Sequence, residues 1–240
     1  MKISGITNIG NRRSENQDKY VAGRLLCGVA FGFVCDGMGG VNGGAIASDT
    51  LSKMLEDGLF LHNEEPNFNE ERAVLGAIED ANSAIYSMGL SKPALKGMGT
   101  TVAGVTVKNR ECIVYHAGDS RVYILRNGRL ALVTQDHSVV QELVNQSKIS
   151  QEEAQAHPQK NLITRAVGVQ ENVDIDVASV DVCEGDIILC ATDGLTNFIS
   201  TQQLTEILSG DNVFGMPQKL IDKALENKAT DNITAVVLAV

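Results

Sequence analysis

The 240-residue chain has no tryptophan, and Phe and Tyr together make up only 4% of it. Its core must therefore come from Val, Ile, Leu and Ala, a composition that suits β-strands packed against helices. Proline numbers four, there is no Ser/Gly tract, and no block of like charge or 20–50-residue repeat is visible. Linkers and solenoids are thereby excluded, and one domain over residues 1–240 is expected. The sequence contains no CxxC and no His/Cys cluster at ligand spacing, which removes a structural zinc site. The five cysteines, Cys27, Cys35, Cys112, Cys183 and Cys190, are odd in number and sit mostly in apolar runs. They read as free thiols of a reducing compartment. The longest nearly apolar run, Leu25 to Cys35, is too short to cross a bilayer. The opening MKISGITNIGN has no apolar stretch of signal-peptide type, so a cytoplasmic protein with no membrane partner is expected. A basic face is missing too: net charge is −10, and the only dense basic spot is Arg12-Arg13. That argues against nucleic acid as a partner.

What is present is patterned. Strands are expected at 2–7, 19–23 and 28–35. Gly39-Gly40 and Gly43-Gly44 read as a flexible turn before a helix at about 45–58. A second helix at about 70–88 places Val74, Ala77, Ile78, Ala81 and Ile85 on one face. Alternation around Ala103, Val105 and Val107 predicts a strand that returns through a turn at 108–110 into 111–117. Asn127-Gly128 between two apolar segments is a type I′ hairpin signal. A helix follows at about 137–146, and Ser150 with Glu153 forms a capping-box pair for a short helix before Pro158. Strands are predicted at Val173–Ala178 and 187–191. Ser200 or Thr201 caps a helix to Leu208, Pro217 opens another to about Glu226, and 233–240 closes as a strand. Clustered strands and clustered helices favour an α+β fold with an antiparallel core and helices outside, not alternating βαβ units.

Four of these apolar runs meet an aspartate at a turn: VAFGFVC-Asp36-Gly37, CIVYHAG-Asp119-Ser120, DIILCAT-Asp193-Gly194, and Asp231-Asn232 feeding ITAVVLAV. Asp-Gly alone is an ordinary turn dipeptide. Four such carboxylates at strand ends suggest convergence on one edge of a β-core, and repelling carboxylates gather where cations hold them. An all-oxygen set, with the Gly37 carbonyl as a further candidate, suits Mg²⁺ or Mn²⁺. Arg13, five residues before Asp18, could offer a guanidinium fork to a phosphate.

The chain resembles the metal-dependent serine/threonine protein phosphatases, the type 2C or PPM family, in its small bacterial form. Seven blocks carry the resemblance, in order: Gly10-x-x-Arg13-x-x-Asn16-Gln17-Asp18, Cys35-Asp36-Gly37-Met38-Gly39-Gly40, Gly97-Met98-Gly99-Thr100-Thr101, Ala117-Gly118-Asp119-Ser120-Arg121, Thr164-Arg165-Ala166-Val167-Gly168, Thr192-Asp193-Gly194-Leu195 and Thr230-Asp231-Asn232-Ile233-Thr234. The resemblance implies a central sandwich of two antiparallel β-sheets flanked by helix pairs. It implies that Asp36 bridges two Mn²⁺ or Mg²⁺ ions, with the Gly37 carbonyl on one of them and Asp18, Asp193 and Asp231 completing the set. Asp119, with Asp193, matches the position of a third, looser ion. Arg13 matches the phosphate-binding arginine, and Asp36 and Asp193 support attack of a metal-activated water on phosphoserine or phosphothreonine. The implied partners are phosphoprotein substrates of a cognate kinase, and a monomer is the default.

Some positions depart from the family pattern. Met38 stands where eukaryotic relatives carry a histidine proposed as general acid. His137, in Gln135-Asp136-His137-Ser138, is a candidate replacement, against a plain hydrogen-bonding role. Asn197 stands where an acid is frequent, and Val167 replaces the usual Leu. Cys35 beside Asp36 reads as core, because this chemistry needs no protein nucleophile. Residues 144–163 correspond to a variable flap, either a solvated loop or a substrate-contact surface. Two rival readings remain. A silent phosphatase-like binding module would be expected to have lost metal acids, and all are present here. A two-metal nuclease would need a basic groove.

Overall fold

The structure, a computed structural model, describes residues 1–61 and 68–240. In chain order its strands are β1 (Lys2–Asn8), β2 (Asp18–Arg24), β3 (Ala30–Met38), β4 (Gly99–Thr100), β5 (Val102–Lys108), β6 (Glu111–Ala117), β7 (Arg121–Arg126), β8 (Arg129–Leu132), β9 (Asp176–Asp181), β10 (Ile187–Ala191) and β11 (Ile233–Ala239). The helices are α1 (Gly40–Phe60), α2 (Glu70–Ser91), α3 (Val139–Asn145), α4 (Gln151–Ala156), α5 (Asp193–Thr196), α6 (Thr201–Leu208) and α7 (Met216–Glu226).

The strands form two antiparallel sheets. One runs β1-β11-β10-β7-β8; the other runs β2-β3-β5-β6-β9, with β4 paired to β3. Three apolar layers hold them. Between the sheets lie Val34, Ala103, Val105, Val114, Ile188, Cys190, Val236 and Leu238. Helices α1 and α2 cover the second sheet with Leu51, Leu55, Leu59, Ile78 and Ile85 against Phe31 and Phe33. Helices α6 and α7 cover the first with Leu204, Leu208, Leu220 and Ile221 against Leu189 and Val237. A Val, Leu, Ile or Phe side chain fully removed from water contributes about 1.5–3 kcal/mol before entropy is subtracted. The expected α+β sandwich flanked by helices is the observed one.

Local chemistry sets the element ends. Asn69 caps α2 by accepting from the Arg72 amide, and Glu70 and Glu71 complement the dipole of its first turn. Ser150 and Glu153 form the expected capping box of α4, and Ser200 forms one with Gln203 on α6. Asn127 and Gly128 hold φ of 50° and 74°, as a type I′ hairpin requires.

The structure corrects three sequence expectations. Helix α1 begins at Gly40, so Gly43 and Gly44 lie inside it instead of in a preceding turn. A Cβ on Gly44 would come within 2.5 Å of the Gly37 carbonyl oxygen, so that glycine serves the close approach of α1 to β3. Strand β3 does not stop at Cys35; it runs on through Asp36 to Met38, pairing Gly37 with Thr100 and Met38 with Gly99. The first half of the Val173–Ala178 alternation is chain outside any strand, whose Val173 and Ile175 pack on the core, and β9 itself runs from Asp176 to Asp181.

Candidate active site

The two sheets meet at one end in a cleft of about 920 Å³. Arg13, Asp36, Gly37, Asp119, Asp193 and Asp231 all line it, and Asp18 lies beneath, 1% exposed. All seven residues expected from the sequence are thus brought together. Strand register explains the first pair: Asp18 and Asp36 are direct antiparallel partners on β2 and β3. Like charges opposite one another destabilise a sheet, so this pairing calls for a compensating cation. Asp193 opens α5 directly after β10, Asp231 precedes β11, and Asp119 follows β6. The carboxylates therefore come from both sheets.

Hydroxyls and amides set several of these aspartates in place. Asp18 Oδ2 accepts from Thr192 Oγ1 at 2.8 Å and Thr234 Oγ1 at 2.7 Å. The Thr101 amide donates to the Asp36 carbonyl, and the Asp36 amide donates to Thr101 Oγ1, which also meets Ser120 Oγ at 2.8 Å. Asp231 Oδ1 accepts from the Asn232 amide. Its Oδ2 accepts from Arg13 Nη2 at 2.7 Å, a half-exposed pair. Asn232 staples the N-terminal loop: its Oδ1 accepts from the Gln17 amide, and its Nδ2 donates to the Ile9 and Glu15 carbonyls. Asn197 Nδ2 donates to Asp193 Oδ2 at 3.1 Å, so this departure from the family pattern supplies a neutral donor to a cleft carboxylate.

The electrostatics describe a site built for positive charge. Burial first, and then neighbouring carboxylates, push Asp18 up to about 7 and Asp119 up to about 8. Asp36 is held well above the usual carboxylate range by burial, then by Asp18, Asp193, Asp119 and Asp231. Asp193 is raised by burial and then by Asp231, while a hydrogen bond shared with Asp36 pulls the other way. Cations would reverse this repulsion. One atom makes the fit specific: Asp18 Oδ1 is buried with no hydrogen-bond partner, an acceptor awaiting a counterpart. An all-oxygen donor set of this charge fits Mg²⁺ or Mn²⁺.

The remaining sequence candidates separate clearly. Cys35 is fully buried, and burial pushes its thiol up, as the core reading requires. Met38 lines the cleft, but His137 does not: both its ring nitrogens are bonded elsewhere, to the Gly118 amide and to Asp176. His137 is therefore a hydrogen-bonding residue and not the replacement acid. The flap carries α4 and returns to the body through the Ile163–Ser138 bridge. Asn161 and Ile163 line the cleft edge, and Asn161 also borders an adjoining cleft of about 800 Å³ that shares Asp119 and Asp193. Sequence reasoning quoted Thr101, Ser120, Thr192, Asn232 and Thr234 within motifs but gave them no role. Ser120, Thr192 and Asn232 each adjoin an aspartate, which was the available signal; Thr101 and Thr234 do not.

Comparison with known proteins agrees with this geometry. A family model described as protein phosphatase 2C matches residues 10–225. Protein phosphatase PhpP of Streptococcus pneumoniae is 34% identical over 246 aligned residues, covering 100% of this chain and 97% of that protein. A serine/threonine phosphatase structure from S. agalactiae superposes with a TM-score of 0.88 at 39% identity, covering 100% of this chain and 99% of that one. The catalytic domain of the serine/threonine protein phosphatase PstP, solved with two manganese ions, superposes at 0.86 with 32% identity, covering 98% of this chain and 96% of that one. The family match over residues 10–225, the identity to these relatives over nearly the whole chain and the shared sandwich place the chain in the protein phosphatase 2C family, the metal-dependent serine/threonine phosphatases.

Proposed function

We propose that Asp36, Asp18, Asp193, Asp231 and the Gly37 carbonyl hold two divalent cations, Mn²⁺ or Mg²⁺, and that Asp119 with Asp193 holds a third, looser one. The orphaned Oδ1 of Asp18, beneath a cleft of mutually repelling carboxylates, carries this reading. When bound, such ions activate water and neutralise phosphoryl charge. The chain's own residues do the rest. Arg13, on the cleft rim beside Asp231, orients the phosphate and stabilises its charge through its planar donor fork. Thr192 and Thr234 aim Asp18 and favour its ionised form by donating to Oδ2. The cleft lining holds no Cys or His among the described residues, which suits direct attack by water without a covalent enzyme intermediate. The attacking oxygen bonds to phosphorus, the serine or threonine oxygen leaves with the bonding pair, and a water-borne proton neutralises it, since Met38 has none to give.

The substrates are phosphoproteins. We assign their phosphorylation to a cognate serine/threonine kinase, and the enzyme to the cytoplasm as a monomer. Buried free thiols at Cys35, Cys112 and Cys190 support a reducing compartment. Among the described residues no helix is long and apolar enough to cross a membrane. The assay is direct: the purified chain hydrolyses p-nitrophenyl phosphate and phosphothreonine peptide with Mn²⁺, and loses turnover in EDTA. Asp193→Ala reduces turnover to background while circular dichroism stays native. Undiminished turnover in EDTA would overturn the assignment.

A further inference from the structure

His137 lies between β8 and α3 and bonds twice to the turn that follows β6. The Gly118 N–H donates to His137 Nδ1 at 3.1 Å. Nδ1 must then carry the lone pair, so the ring proton is on Nε2. Nε2 donates to Asp176 Oδ2 at 3.0 Å, and Asp176 Oδ1 accepts from Arg165 Nη1 at 2.5 Å. The backbone doubles the link: the His137 N–H donates to the Gly118 carbonyl at 2.7 Å, and the His137 carbonyl accepts from the Thr164 amide at 2.8 Å. Both polar groups of Gly118 therefore end on His137. Gly118 holds φ of +120° with the Thr101 side chain where a Cβ would sit, and the next residue is Asp119. Thr164 and Arg165 stand at the foot of the flap.

We propose that His137 is a positioning residue: it fixes the Gly118–Asp119 turn at the cleft edge and, through Asp176 and Arg165, ties that turn to the foot of the flap. The effect on a bound cation rests on the reading of Asp119 as a holder of the outer ion. Groups of both signs face His137. His116 on β6 stacks on it with ring centroids 4.7 Å apart, Asp176 faces it from β9, Arg165 from the flap, and Asp136 from its own loop. Burial holds His137 below its ordinary pKa. His116 is pushed down to about 4 by burial and then by His137; neither of its ring nitrogens makes a hydrogen bond, although the Ser120 backbone lies near.

One donor atom each from His116, His137 and Asp176 lies within 4.8 Å of the others, the spacing of a small metal site. The Gly118 amide decides against that alternative. An ion on Nδ1 would displace the amide, and an ion on Nε2 would put the ring proton on Nδ1, facing another donor.

Two substitutions separate the possibilities. In His137→Asn, Oδ1 lies as many bonds from Cα as the lost Nδ1 and can accept the Gly118 N–H; in His137→Leu nothing can. Amide exchange of Gly118 in the metal-free protein, Mn²⁺ calorimetry and kcat on a phosphothreonine peptide are measured for each. We expect His137→Leu to expose the Gly118 amide, to weaken the lowest-affinity Mn²⁺ step and to lower kcat about 10–100-fold. His137→Asn should restore most of all three. Equal losses in both variants, or wild-type values in a folded His137→Leu, would overturn the proposal. If His137→Leu does not fold, Asp176→Ala at its exposed position serves instead, with increased Gly118 exchange expected and unchanged exchange contradicting. One Zn²⁺ per chain retained through dialysis by wild type and lost in Asp176→Ala would replace the proposal with a metal site. A wild type that binds only two Mn²⁺ would overturn the outer-ion reading alone, and Gly118 exchange and kcat would then decide the role of His137.

Discussion

At the scale of single residues, the site depends as much on uncharged groups as on its acids. Thr192 and Thr234 supply both side-chain hydrogen bonds of Asp18, and they favour its ionised form against burial and the charges of Asp193 and Asp231. Thr192→Val removes one donor and keeps the shape. Calorimetry should find Mn²⁺ affinity weakened about 10–100-fold with the fold retained; unchanged affinity would mean that Thr192 only fills space. The acids themselves were legible in the sequence because each sits in a motif at a strand end. Their hydroxyl partners were not, because a threonine flanking an aspartate has many reasons to be there. Asn232 shows the same limit: three hydrogen bonds across more than 200 residues fix the loop of Gln17, and no local pattern announces them.

At the scale of elements, strand register and helix approach place the carboxylates. β2 and β3 put Asp18 opposite Asp36, and α1 comes close enough for Gly44 to touch the Gly37 backbone. Gly44→Ala drives a methyl group into that carbonyl. The expected result is a loss of about 1–3 kcal/mol in urea unfolding together with a large loss of Mn²⁺-dependent turnover, since the displaced oxygen is a proposed ligand. Wild-type stability and activity would show that α1 yields without cost. Local signals in the sequence located α2, the hairpins and the Ser150–Glu153 capping box. They misplaced the start of α1 and the span of β9. Glycines that serve tertiary contact look the same as glycines in a turn, and chain outside any strand that packs on a core alternates like a strand.

At the scale of the whole molecule, the site joins the two halves of the sandwich. Asp18 and Asp36 belong to one sheet, while Asp193 and Asp231 flank strands of the other. Ions bound between them, as proposed, would stabilise the folded chain by linkage. The pH dependence follows from the raised carboxyls. A carboxyl whose pKa is higher folded than unfolded, where it is about 3.9, binds more protons in the folded state, so its stabilisation is lost as pH rises. His116, at about 4, and His137, also lowered, act oppositely below about 6.5. The clean window thus lies above that value, through Asp18 at about 7 and Asp119 at about 8. In EDTA the melting temperature should fall between pH 6.5 and 8, and saturating Mn²⁺ should cancel the fall; a rise in EDTA would contradict the assignment of these charges.

The central claim is that the converging carboxylates are a cation site on which turnover depends. The most direct measurement is a Mn²⁺ titration of metal-free wild type and Asp36→Asn, with heat of binding and phosphopeptide hydrolysis followed on the same samples. The account predicts that wild type takes up two ions tightly and that hydrolysis rises with their occupancy, while Asp36→Asn, folded, loses tight binding and turnover together. Tight binding and full turnover in Asp36→Asn, or hydrolysis by the wild type before any ion is bound, would contradict it.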